Sequence, residues 1–184
     1  MESKARTTAS AQLYMDRIQL YWRRYPYRYG QGLEAANLLH AWVWLLYRRM
    51  VDEETTPTWT VPSKDDIAGI LSIVCRGTPK LRITLRLISK AVILAGRKIT
   101  IWCSLLATQL LLHACLQVLR IGTVCYTSEP STEERGSQVR QFCTDPNTRV
   151  FIVPYFVGGI GLGLQQMCNH TAEFDSPPTL GPRI

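Results

Sequence analysis

The spacing of apolar residues changes character at Gly96, and that change divides the chain. Upstream, apolar positions recur every three to four residues, the signature of helices with one buried side. Residues 11–24 read as a helix that Tyr25-Pro26 ends, because a residue before proline avoids the α region. Residues 32–49 read as a second helix, with Leu38, Trp42, Leu45 and Met50 on a stripe. Residues 52–62, rich in acids and threonines and holding two prolines, read as a loop. A short helix then begins at Ser63-Lys64-Asp65-Asp66, with Ser63 as its cap and Asp66 near the exposed N–H groups, and Gly77 closes it. Thr78-Pro79 opens the next helix, with Pro79 where a missing N–H costs nothing. Its apolar face is Leu81, Leu85, Ile88, Val92 and Ala95; Arg82, Arg86 and Lys90 face away, and Gly96 is its C-cap.

Downstream, short apolar runs alternate with helical segments. Residues 98–103 predict a strand, 105–119 a helix and 123–127 a strand. Ser131 caps a helix over 132–143, with Glu134 completing a capping box. Residues 149–153 predict a strand, the glycine-dense stretch 158–163 a turn and short helix, and 171–174 a last strand. Alternating strands and helices with short loops imply an α/β fold with a parallel sheet and right-handed crossovers. The expected organisation is a helical N-terminal extension over residues 1–75 and an α/β unit over 76–184. In such a sheet every strand ends on the same edge. Ser104, Thr127-Ser128, the 158–163 loop and Asp175 should therefore converge on one rim, where ligands bind.

The charge-free run 99–119 is about as long as a membrane helix. Its first five residues are β-rich, Ser104 is a good cap, and Gln109, His113 and Gln117 would line one side of a lipid-exposed helix at high cost. A buried strand followed by a helix fits better, with His113 as a satisfied core residue. Of 184 residues, 46% are apolar and 19% charged, enough for a core and too few charges for a disordered chain. The net charge of +7 is uneven: residues 76–98 carry seven bases and no acid. A basic patch of this kind suits nucleic acid or a solvated helix face. The six cysteines stand ten or more positions apart, which excludes zinc-knuckle and redox spacings. The polar, basic start has no apolar signal core, so an intracellular, reduced chain with no membrane partner is expected.

Catalytic signatures are sparse. The glycine loop fits a dinucleotide fingerprint at Gly159 and Gly161, but Leu164 stands at the sixth position. No Gly-Lys-Ser or Gly-Lys-Thr phosphate loop occurs, and no histidine has a triad motif around it. Asp52-Glu53-Glu54 lacks the strand that precedes a magnesium box and reads as a solvated loop. Tyr21 to Tyr29 interleaves bases with aromatics, suited to stacking bases or to an amphipathic helix end.

A resemblance adds to these patterns. Gly77-Thr78-Pro79-Lys80-Leu81 resembles the start of the second RecA-like lobe of Swi/Snf-type DNA-dependent ATPases, and residues 97–104 are similar to its motif IV strand. Tyr126-Thr127-Ser128 with Ser131-Thr132-Glu133-Glu134-Arg135 resembles the family's Gly-Ser-Thr-x-x-x-x-Arg segment, followed by Phe142 and Asp145-Pro146. Residues 158–165 look like motif V, Gly-Gly-x-Gly-Leu-Asn-Leu-Gln, and Phe174-Asp175-Ser176-Pro177-Pro178 resembles Asp-x-x-Trp-Asn-Pro. The resemblance covers about the last hundred residues and implies a partial RecA-like sheet.

The resemblance also implies roles. Gly158, Gly159, Gly161, Gly163 and Gln165 would line the nucleotide cleft. Ser104, Thr127, Ser128 and Arg135 would lie on the DNA-backbone side, with Lys80, Arg82, Arg86 and Lys90 as further nucleic-acid contacts. ATP with magnesium would be shared with a separate ATPase lobe, DNA would be gripped without sequence reading, and the chain would work in the nucleus, with a separate ATPase lobe or a chromatin protein as its partner. Gly163 stands where the family has asparagine, Pro154 where motif V begins with a hydroxyl residue, and the tryptophan and asparagine of the last motif are replaced. The resemblance implies a lobe truncated before the motif VI arginines, hence no catalytic residue and no metal ligand of its own. A non-catalytic nucleic-acid- or protein-interaction module is the alternative.

Overall fold

A computed structural model of the chain describes residues 31–52, 58–127, 130–155 and 168–176. The predicted helix at 11–24, the aromatic-basic stretch from Tyr21 to Tyr29, Glu53, Glu54 and the tail after Ser176 lie outside these residues. The elements are α1 (Gln31–Asp52), α2 (Ile67–Gly77), α3 (Pro79–Ile88) running into a π-helical turn (Ser89–Leu94), β1 (Ile99–Cys103), α4 (Leu106–Val118), β2 (Gly122–Cys125), α5 (Thr132–Thr144), β3 (Thr148–Pro154) and β4 (Thr171–Glu173).

The four strands form an all-parallel sheet in the order β2-β3-β1-β4. This is an α/β arrangement consistent with a partial RecA-like sheet. The 99–119 run breaks into β1 and α4 as its residue types dictate, and no helix among the described residues is long and apolar enough to cross a membrane. From β1 the chain crosses by α4 to β2, and from β2 it returns by α5 to β3. The two crossovers run in opposite directions across the sheet, so right-handedness places their helices on opposite faces.

The core follows that division. On one face, Ile99, Ile101 and Cys103 of β1 and Val150 and Ile152 of β3 meet Leu112, Cys115 and Leu116 of α4. Leu39 and Val43 of α1, Ile70 of α2 and Leu81 and Ile88 of α3 join the same cluster. Described residues on both sides of residue 75 pack into this one cluster. On the other face, Phe151 and Val153 of β3 and Val124 of β2 meet Phe142 of α5, whose ring centroid lies 5.0 Å from that of Phe151. Successive strand residues point to opposite faces, so β1 and β3 are buried on both.

Several local expectations change. In α1 the buried stripe is Ala35, Leu39 and Val43, whereas Leu38 and Leu45 are exposed and Trp42 is partly buried. The segment is apolar nearly all round, so its spacing does not fix its phase. The helix also continues to Asp52, the first residue assigned to the loop. Asp66, not Ser63, caps α2, its carboxylate accepting from the Gly69 N–H at 2.8 Å. In α3, Thr84 is buried, one turn from Leu81 and from Ile88 on the same stripe, and Ala95, beyond the π-helical turn that alters the register after Ile88, is exposed. Pro79 opens α3, Gly96 adopts a positive φ of 64°, and the Ser131–Glu134 capping box forms as expected. No basic residue stands in the last turn of α5; Lys98 supplies the charge from the foot of β1, its Nζ donating to the carbonyls of Phe142 and, at 2.9 Å, Asp145.

At the foot of β2, pairing slips between Gly122 and Thr123, so that Thr148 and Val150 oppose consecutive residues. A Cβ at Gly122 would lie 2.0 Å from the Asn147 carbonyl oxygen. Gly122→Ala is therefore expected to lower the unfolding free energy by about 1–3 kcal/mol in urea titration, as overpacking does. An unchanged midpoint would contradict this register.

Candidate functional site

The parallel sheet brings the ends of its strands to one rim. Beyond β4 the Phe174 N–H donates to the Trp102 carbonyl at 2.8 Å, and the Phe174 ring is buried in the larger core cluster. That anchor sets Asp175 over the start of α4. Its Oδ2 accepts from the Ser104 N–H at 3.4 Å and lies 3.0 Å from Thr108 Oγ1, whose single proton is also within 2.7 Å reach of the Leu105 carbonyl oxygen. A carboxylate at a helix N-terminus is favoured by the exposed N–H groups and the helix dipole. From the first turn of α3, Lys80 Nζ stands 3.7 Å from Asp175 Oδ1. Lys80 is 68% exposed, so water screens that pair and the hydrogen bonds matter more.

The chain continues to grip the rim through Ser176 and Tyr155. Ser104 does not cap α4; Leu105 holds the N-cap position and the Ser104 hydroxyl donates to the Ser176 carbonyl at 2.7 Å. The Tyr155 hydroxyl donates to the Asp175 carbonyl at 2.9 Å, while its ring stacks on Trp102 with centroids 5.6 Å apart. Partial burial, then the charges of Glu173, Cys103 and Asp175, push the Tyr155 phenol up to about 12, which keeps it protonated as a donor. Burial foremost, with Asp175 nearby, pushes the Cys103 thiol up to about 12 as well. Burial does the same at Cys115 and, to about 11, at Cys125. None of these three thiols is a ready nucleophile.

Of the residues singled out from sequence, Ser104, Lys80 and Asp175 meet at this rim. Thr127 lies two residues beyond β2, on the same edge. Arg135 sits near the start of α5, with one guanidinium nitrogen 3.4 Å from Thr132 Oγ1. Arg82, Arg86 and Lys90 are exposed along α3, which leads away from the rim toward the foot of β1. The structure thus separates Lys80 from the other three bases. Ser128, Gly158, Gly159, Gly161, Gly163 and Gln165 lie outside the described residues. Thr108, Trp102 and Tyr155 complete the rim and were not anticipated. Thr108 stands one turn beyond Ser104 and Tyr155 directly follows β3, the only signals that could have flagged them.

Two buried polar groups sit one turn apart on α4. Gln109 Nε2 and His113 Nδ1 have no hydrogen-bond partner, so His113 is not the satisfied core residue its setting suggested. Burial lowers the His113 pKa from 6.5. All six cysteines are free, and no group of three His, Cys, Asp or Glu side chains among the described residues could hold a metal ion. Comparison with family models, with curated proteins and with solved structures finds no match for this chain.

Two measurements check this geometry. Thr108→Val and Asp175→Ala should each cost about 1–3 kcal/mol, and in a double-mutant cycle they should couple by at least about 0.5 kcal/mol. Additive effects would show that the two side chains do not interact. Unfolded chains bind the His113 proton near pH 6.5, above the lowered value in the fold. Its contribution is therefore complete above pH 6.5 and is lost as pH falls toward the lowered folded pKa. His113→Gln should flatten stability against pH in that window; an unchanged slope would place the proton uptake elsewhere.

Proposed function

We propose that this chain acts as the second RecA-like lobe of a Swi/Snf-type, DNA-dependent ATPase, working in the nucleus. In that role it closes over ATP and magnesium held by a separate ATPase lobe, and its rim grips the DNA backbone. The observation that carries the reading is the rim itself. Four parallel strands deliver Ser104, Thr127, Tyr155 and Asp175 to one edge, with Lys80 beside them. This is the arrangement that the ordered motifs require of such a lobe, because neighbouring strand ends must present their groups together to one ligand.

The chemistry of the rim suits backbone contact rather than bond breaking. The exposed Lys80 ammonium and the Thr127 hydroxyl can meet phosphate oxygens without reading base sequence, while the Ser104 N–H and the Ser104, Thr108 and Tyr155 hydroxyls hold the rim in shape. The described rim offers no low-pKa nucleophile, since Cys103 and Tyr155 are both held protonated. The phosphate loop that ATP hydrolysis requires is not present in these 184 residues, so turnover belongs to an assembled pair of lobes.

The purified chain should hydrolyse no ATP above a mock preparation, with or without duplex DNA. It should bind duplex DNA with a Kd of about 10⁻⁶ to 10⁻⁴ M at physiological salt, without sequence preference. Lys80→Ala should weaken binding evenly across sequences and reduce the salt slope by about one. ATP turnover by the chain alone, or no DNA binding even at low salt, would overturn the proposal.

A further inference from the structure

The inner side of α3 is fixed in the core through Leu81, Thr84 and Ile88, so its outer side cannot turn inward. That outer side carries two adjacent rows. One holds Ile83 and Leu87, one turn apart and 56% and 44% exposed. The other holds Arg82, Arg86 and Lys90, each one turn from the next and all exposed. Among the described residues none of the three bases pairs with a carboxylate, and the sequence has no acid from Arg76 to Lys98. Like charges at four-residue spacing repel one another, so the row is strained toward an anionic partner.

We infer that the outer face of α3 is a docking surface for an acidic amphipathic helix of a protein partner. Charge complementarity selects an anion, and the aliphatic row selects its kind. A nucleic-acid backbone would neutralise Arg82, Arg86 and Lys90 but would leave Ile83 and Leu87 against phosphates, with no apolar surface to cover them. A bilayer would accept the aliphatic side chains, yet two of them bury too little area for stable anchoring, and the bases flank them as one row only. A helix with aliphatic residues four apart beside a row of Asp or Glu meets both rows together, its apolar seam on Ile83 and Leu87 and its acids on the bases. Lys80 takes no part: it faces Asp175 at the rim, and Lys90 lies about 15 Å further along the helix axis.

The test uses the full chain and a fluorescent, designed helical peptide with leucines at four-residue spacing beside a row of glutamates. Short duplex DNA and phosphatidylserine-containing vesicles serve as comparison probes. The peptide should bind, and the Ile83→Ser/Leu87→Ser variant should bind it at least about tenfold more weakly with an unchanged melting temperature. The Arg82→Glu/Arg86→Glu/Lys90→Glu variant should lose the peptide and gain a sister peptide whose glutamates are replaced by lysines. Three results would overturn the inference. One is peptide binding that ignores the aliphatic pair. Another is no peptide binding, whether or not DNA is bound through the three bases. The last is vesicle binding that depends on Ile83 and Leu87 while the peptide is not bound.

Discussion

Burial of β1 on both faces is the constraint from which the rest of the molecule follows. Ile99, Ile101 and Cys103 enter one core cluster, and Trp102 packs against the other. A strand buried in this way needs a hydrogen-bonding neighbour at each edge and a helix layer above and below. Parallel pairing with β3 and β4 meets the first need, and α4 and α5 meet the second. Once the crossovers are right-handed, the helices fall on opposite faces and all strand ends fall on one rim. The chemistry of that rim is therefore a consequence of how the sheet is covered.

Much of this was legible before any coordinates. The division of the charge-free run into β1 and α4 was readable because β-branched residues precede a leucine-rich segment. The start of α3 was readable from Pro79, its end from Gly96, and the start of α5 from Ser131 and Glu134. Each of these depends on chemistry within one turn of the chain. What could not be read depends on contacts across the fold. The phase of α1 is set by which side meets α4, and an all-round apolar segment offers no internal reference. Lys98 finds the end of α5 some 44 residues downstream, at the Phe142 carbonyl. Strand order decides which strand lies between which, and composition carries no record of it.

The candidate site shows the same split. Ser104, Thr127 and Asp175 were placed on a shared edge by the logic of parallel strands alone. The hydrogen bonds that join Asp175 to Ser104 and Thr108 were not foreseeable, since they require β4 to pair beside β1. The basic residues of α3 are the clearest case. Read along the sequence, Lys80, Arg82, Arg86 and Lys90 form one group; in the fold, Lys80 belongs to the rim and the other three to a flank that also bears Ile83 and Leu87. A helix that leads away from the rim divides what the chain lists together into two chemically distinct surfaces.

The sheet itself is the most direct point of attack. Amide exchange and nuclear Overhauser contacts on the full chain would report both pairing and burial. The fold requires contacts across the Ile101–Ile152 and Thr100–Thr171 pairs, with the β1 and β3 amides among the slowest to exchange. A continuous helical pattern of contacts from residue 99 to residue 119, with no contacts to residues 148–154, would contradict the sheet, the rim and every function assigned to it.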